Sequence, residues 1–281
     1  MSARTDERLA IIGLGAVGGS LALAWRDRAR LIAWSRDAGD RASAREAGIA
    51  VPDEARWRDD MASRTVIVVA VPASEVADVV RDVMASVPDE CLLLHTTSLQ
   101  HGDALGLSRD VVSRVLGTHP IAGSERSGFS AADGEMFRGA TLRAEARASA
   151  AERNRIETLW RSVGISRIIW DDAAAHDALM SWISHLPQLT STALAAVLAN
   201  RGIAPVDVGP GARDATRLAS SDPAMWMSLL RHAPRETVEA LGCLTSSLEA
   251  LRAAVDAQDT AALAAIWENA RAWRASAEKR S

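Results

Sequence analysis

The fold expected of this chain is α/β: a doubly wound parallel sheet followed by an all-α region. Three observations predict it. Residues 9–12 are apolar and run directly into Gly13-x-Gly15-x-x-Gly18. Apolar runs then alternate with helical patterns as far as about residue 172. Beyond that point the pattern is helical only. A glycine turn between an apolar strand and a helix is the fingerprint of the Rossmann-type sheet. With 281 residues, about two domains are expected: a dinucleotide-binding region over 1–172 and a helical substrate and dimerisation region over 173–281.

The elements follow in order. Residues 9–13 form a strand, and the pattern from Gly18 onward opens a helix. Residues 30–35 form a second strand, and residues 37–48 contain a helix. Residues 65–71 (Thr-Val-Ile-Val-Val-Ala-Val) are almost wholly apolar, as a central parallel strand buried on both faces requires. Pro72 ends that strand, and residues 74–85 read as a helix. Residues 91–95 and 114–117 continue the strand series, with a helical candidate at 103–112. Strands at 141–144 and 166–170 flank a helix at 149–163. Residues 173–199 read as one long apolar helix interrupted by Pro187. Residues 214–220 look helical after a Gly/Pro-rich loop, and Ser221-Asp222-Pro223 is a helix-start signal. Helices at 234–257 and 260–277 close the chain. Leu189, Leu194, Val197, Leu241 and Leu248 exceed what a small bundle needs, so a homodimer through the helical region is expected.

Composition excludes several classes. Hydrophobic residues make up 48% of the chain, which argues for a folded globular protein. The formal charge is −4 with mixed signs, so a nucleic-acid partner is not expected. No apolar stretch approaches the ~20 residues of a membrane span. The short polar N-terminus lacks an apolar leader, so a cytoplasmic location is expected. Cys91 and Cys243 are far apart, and buried thiols are the expectation. The histidines and cysteines show no metal-ligand spacing, and no GxSxG elbow points to a hydrolase.

The glycines have separate tasks. Gly13 permits the tight turn, Gly15 lets the backbone approach a pyrophosphate, and Gly18 lets the helix pack close to the sheet. Free N–H groups at the helix N-terminus then face the phosphates. Gly13, Gly15, Val17, Gly18, Ser35, Arg36 and Val71 form the candidate cofactor set. Where an NAD-binding unit carries a ribose-binding acid at the end of its second strand, this chain has Ser35-Arg36. A hydroxyl and a guanidinium suit a 2′-phosphate, which points to NADP, with NAD as the other possibility. The alternative is that Asp37 serves the ribose after a one-residue shift.

Chemistry-bearing residues cluster in a few segments. Thr118-His119-Pro120-Ile121-Ala122-Gly123 sets a histidine at the C-terminal end of a strand, where such sheets place their ligands. His176-Asp177 and Ser184-His185-Leu186-Pro187-Gln188 lie on the long helix, where histidines also serve as core or dimer contacts. Arg213 and Arg217 stand four residues apart, either on a solvated face or at an anionic substrate.

Taken together, these segments resemble the prephenate dehydrogenase family, which includes arogenate and cyclohexadienyl dehydrogenases. The resemblance runs from about Leu9 to Trp226. It implies oxidative decarboxylation of prephenate to 4-hydroxyphenylpyruvate, with hydride passing to NAD(P). Its alternatives are arogenate as substrate, an amino-substituted prephenate, or a non-catalytic dinucleotide-sensing relative. It implies that His119 is the catalytic base and that Ser98 orients it. Arg217 would bind a substrate carboxylate, with Ser124, Glu125, His185, Arg213 and Gln188 around the substrate. The family's Asp-x-Gly-Ser-x-Lys segment is here His95-Thr96-Thr97-Ser98-Leu99-Gln100, and Gln188 stands where the family has a second histidine.

Overall fold

A computed structural model of the chain describes residues 7–27, 30–53, 55–62, 65–123 and 126–278. Seven strands form one sheet: β1 (Arg8–Ile12), β2 (Arg30–Trp34), β3 (Val66–Val69), β4 (Leu92–His95), β5 (Val115–Ile121), β6 (Thr141–Glu145) and β7 (Arg167–Asp171). Their order is β2-β1-β3-β4-β5-β6-β7. The first five are parallel, as expected. β6 departs from the expected parallel sheet, because it pairs antiparallel with β5, and β7 runs parallel to β6.

Strand periodicity divides the core. Leu9, Ile11, Val66, Val68, Leu92 and Leu94 point to one face, where Trp25 and Trp160 pack. Ala10, Ile12, Ile67, Val69 and Leu93 point to the other, against Val76, Val80 and Val83. With both faces covered, the central strands have no polar side to show, which is why their sequence is continuously apolar.

Four helices accompany the first strands: α1 (Ala16–Trp25), α2 (Ala38–Glu46), α3 (Trp57–Ala62) and α4 (Ala73–Met84). Between β4 and β5, only the last four residues of the expected helix form one, α5 (Arg109–Val112). Helix α6 (Ala150–Ser162) starts with a capping box, in which Ser149 and Glu152 satisfy each other's backbone N–H. Helix α3 was not foreseen. Its Trp57 stacks on Trp34, with ring centroids 4.6 Å apart.

The expected long helix is two helices, α7 (Ala173–Met180) and α8 (Leu186–Asn200), joined by a π-helical segment, Ser181–His185. The break therefore precedes Pro187, which falls within the first turn of α8, where its missing N–H costs little. Next come α9 (Pro210–Thr216), a 3₁₀ turn at Arg217–Ser220, and α10 (Pro223–Leu230), capped by Asp222. Leu229 of α10 is buried among the residues of α4. The sheet and helices α1–α10 belong to one compact unit, Met1–Pro234. The second unit, Arg235–Ser281, holds α11 (Arg235–Asp256) and α12 (Thr260–Glu278). Cys91 is buried, but Cys243 is exposed, against expectation.

Trp160 is fully buried, and its ring meets Trp25 and Phe137 edge-on at 6.2 and 5.6 Å. Trp160→Ala should destabilise the fold by about 3–5 kcal/mol. Denaturant unfolding checks this, and an unshifted midpoint would show that α6 does not anchor this face.

Candidate active site

The glycine turn separates fold from ligand. Gly13 has φ +97, and a Cβ there would stand 2.3 Å from the carbonyl oxygen of Ala70. A Cβ on Gly18 would stand 1.9 Å from the Gly13 oxygen. Any side chain at either position therefore disrupts the packing of β1, α1 and β3. A Cβ on Gly15 meets nothing within 4 Å, so the close approach kept open there faces outward, beside the uncapped N-terminus of α1. Val71 borders the turn, with a methyl 3.0 Å from the Cβ position of Gly13. Half-buried Val17 lies in the first turn of α1. This cradle fits a pyrophosphate.

At the end of β2, the Asp37 carboxylate is engaged in capping α2, accepting the Asp40 N–H at 2.8 Å. Arg41 donates to the carbonyls of Ser35 and Arg36 at 2.7 and 2.8 Å, and its guanidinium lies 5.6 Å over the Trp34 ring. These contacts fix the Ser35-Arg36 bend. The Arg36 guanidinium is exposed and pairs with Glu75 at 3.0 Å.

His119 lies inside β5, not after it. β4 pairs with β5 only as far as His95↔Gly117, and from Thr118 the strand pairs with β6. His119 therefore stands just past the C-terminal edge of the parallel sheet. Its Nδ1 lies 3.1 Å from Nε2 of His176, and Nδ1 of His176 lies 2.8 Å from Oδ1 of Asp177. Asp177 also accepts the backbone N–H groups of Gln100 at 2.8 Å and His101 at 3.0 Å.

This chain of bonds sets the tautomers. An ionised carboxylate only accepts, so Nδ1 of His176 carries the proton. Nε2 of His176 is then an acceptor, and Nδ1 of His119 donates to it. The lone pair of His119 is left on Nε2, as a base needs. Burial holds His119 neutral, pulling its pKa down to about 3, and His176, His95 and Arg143 add to the effect. Burial likewise takes His95 to about 4, against the pull of Asp177, and lowers His185. Nδ1 of His95 donates to the Thr97 hydroxyl, 3.0 Å away, whose own proton goes to the Leu99 carbonyl at 2.6 Å.

The structure thus gathers His119, His95, His176, His185 and Asp177. Ser98 is half-buried in the loop after β4, between Thr97 and Leu99, both buried. His185 is buried against Trp226, with ring centroids 6.0 Å apart. Gln188 is buried, whereas Arg213 and Arg217 are exposed, and Arg213 donates to the Val208 carbonyl at 3.2 Å. Ser124 and Glu125 lie outside the described residues. Sequence reasoning did not assign the pairing of His176 and Asp177 with His119. Its signal was two adjacent polar residues on an otherwise apolar helix.

A glycine cradle and a strand-end histidine define a Rossmann-type dehydrogenase architecture. Comparison with known proteins agrees. The family model described as "Prephenate dehydrogenase, nucleotide-binding domain" matches residues 21–164, and "Prephenate dehydrogenase, dimerization domain" matches residues 172–269. The chain belongs to the prephenate dehydrogenase family. Cyclohexadienyl dehydrogenase of Zymomonas mobilis is 26% identical over 266 residues, 90% of each chain. Prephenate dehydrogenase of Lactococcus lactis is 24% identical over 97% of this chain and 78% of its own. The fold matches that of prephenate dehydrogenase from A. aeolicus, solved with hydroxyphenyl propionate and NAD+, at a TM-score of 0.86 and 20% identity, covering 97% and 98% of the two chains. Synechocystis arogenate dehydrogenase gives a TM-score of 0.78 at 20% identity, covering 95% and 99%.

Two outcomes are expected. Gly15→Val should fold normally and lose dinucleotide affinity, whereas Gly18→Val should fail on stability; thermal melting and cofactor titration separate the two. Equal melting temperatures for the pair would show that the close contact at Gly18 does not set the stability of the turn. His95 and His119 also set a pH dependence. In the unfolded chain His95 and His119 titrate near 6.5, but in the fold near 4 and 3. Between those values the unfolded chain binds more protons, so stability falls as pH drops below about 6.5. Denaturant unfolding from pH 7 to 4 should show this decline, with a shallower slope for His95→Gln.

Proposed function

We propose that this chain is an NADP-preferring dehydrogenase that converts prephenate to 4-hydroxyphenylpyruvate and CO2. The observation that carries the reading is the His119–His176–Asp177 chain, which leaves Nε2 of His119 as a desolvated, neutral base at the sheet edge. Arogenate, giving tyrosine, is the second reading, favoured by the fold shared with the Synechocystis enzyme.

Bound at the glycine cradle, the nicotinamide dinucleotide supplies the hydride acceptor. His119 hydrogen-bonds the ring hydroxyl and takes its proton as the carbinol carbon becomes a carbonyl. The resulting imidazolium is stabilised through His176 by the Asp177 carboxylate, which also accepts the two loop amides. As the ring carboxylate leaves as CO2, the electron pair enters the ring, and His119 returns its proton to the ring oxygen. The product is aromatic, so the protein needs mainly to orient and deprotonate. Ser98 assists at the hydroxyl, and Arg217, with Arg213 one turn away, holds a substrate carboxylate. His185 completes the substrate surroundings.

Support for NADP comes from the capping role of Asp37 and from the exposed Arg36 guanidinium, which would exchange its Glu75 partner for the 2′-phosphate. The exposed apolar residues Leu194, Val197 and Leu248 support a homodimer through residues 173–281, with 1–172 as the dinucleotide-binding region. No described helix is long and apolar enough to cross a membrane, and we place the enzyme in the cytoplasm.

The test is NADPH formation, followed by its absorbance with prephenate and arogenate in turn. His119→Ala should lower kcat by about 10²–10⁴ with the fold intact. Arg36→Ala should weaken NADP far more than NAD. An active His119→Ala enzyme, or equal losses for both cofactors, would overturn the corresponding assignment.

A further inference from the structure

Gln188 stands on α8 three residues after His185 and is only 6% exposed. Both ends of its amide are engaged. Nε2 donates to the Leu218 carbonyl at 2.8 Å, and Oε1 accepts from the Ser221 hydroxyl at 3.3 Å. Leu218 lies within the 3₁₀ turn Arg217–Ser220, and Ser221 directly follows it. One buried amide therefore ties α8 to the middle and the end of the turn that carries Arg217. The turn is short, and its Arg217 and Ser220 are exposed, so that tie helps to set its orientation beside its packing on α8 and α9. The Arg217 guanidinium can grip a carboxylate through two parallel hydrogen bonds only when its plane is correctly set.

We propose that Gln188 is a positioning residue, which sets the Arg217 turn for a substrate carboxylate and does not itself touch the substrate. The proposal rests on the reading of Arg217 as the carboxylate-binding residue. It accounts for glutamine at this place: a single side chain must donate to a carbonyl and accept from a hydroxyl, and the amide does both without charge.

The experiment is a kinetic double-mutant cycle on the full chain, with Gln188→Leu, Arg217→Ala and the pair, using prephenate and arogenate. Loss of a neutral hydrogen-bonded tie corresponds to about a three- to tenfold rise in KM. Gln188→Leu should show that rise for prephenate and arogenate alike, since both carry the carboxylates, with kcat and the KM for NADP within about twofold of the parent on that same scale. In the Arg217→Ala background it should have no further effect. Ser221→Ala, which removes only the weaker bond, should raise KM in the same direction by less, and it keeps the test alive if Gln188→Leu does not fold. Additive effects in the double variant, joined to a changed prephenate-to-arogenate preference, would overturn the proposal by showing that Gln188 touches the substrate. A normal KM in Gln188→Leu and Ser221→Ala, beside a high KM in Arg217→Ala, would overturn it alone. A normal KM in Arg217→Ala would overturn the reading of Arg217 and the proposal with it.

Discussion

Asp177 is 3% exposed, deep enough that an unsatisfied carboxylate would be costly. It is stabilised by three donors drawn from two parts of the chain. Two are backbone amides of the loop that follows β4, and the third is the imidazole of its neighbour His176. That one carboxylate therefore pins α7 to the C-terminal edge of the sheet, fixes the tautomer of His176, and through it orients His119. Without it, two amides and an imidazole would lose their partners, and His119 would lose the bond that orients it. The arrangement of the site follows from this cross-link more than from any pairwise contact of His119 itself.

The surroundings of that carboxylate are kept electrically quiet. His95, His119 and His185 are all driven toward the neutral form by burial. His95 and Gln100 stand where the resembling family has an acid and a lysine. Neither position carries a fixed charge here. Gln100 uses its amide to donate to the Arg143 carbonyl at 3.0 Å, which links the loop after β4 to β6. Thr118 donates to the His95 carbonyl at 2.9 Å, a neutral hydrogen bond between β5 and β4.

The parallel half of the sheet was legible because strands buried on both faces must be apolar throughout, as Val66–Val69 shows. The glycine turn was legible because each glycine answers a steric demand. The direction of β6 was not, since local alternation looks the same in parallel and antiparallel strands. Trp57 and α3 escaped because six residues are too few for helical periodicity to declare itself. In the site, His119 stood out by its place after an apolar run. His176 and Asp177 did not, because nothing local says that a helix folds back onto the loop at residues 100 and 101. Arg213 and Arg217 were read as one helical face, but a 3₁₀ turn begins at Arg217 and its backbone is held from α8.

The π-helical segment at Ser181–His185 governs angular phase. An α-helix advances about 100° per residue, so side chains nine positions apart, as His176 and His185 are, would leave a straight helix on opposite sides. Both are fully buried. A π turn absorbs one extra residue, which brings the pair to within about 80° of each other on the same arithmetic. Every later position on α8 inherits that rotation, Gln188 included. The segment thus works as a clutch between two helices of one continuous rod, allowing one end to be indexed to the sheet and the other to the turn at residues 217–220.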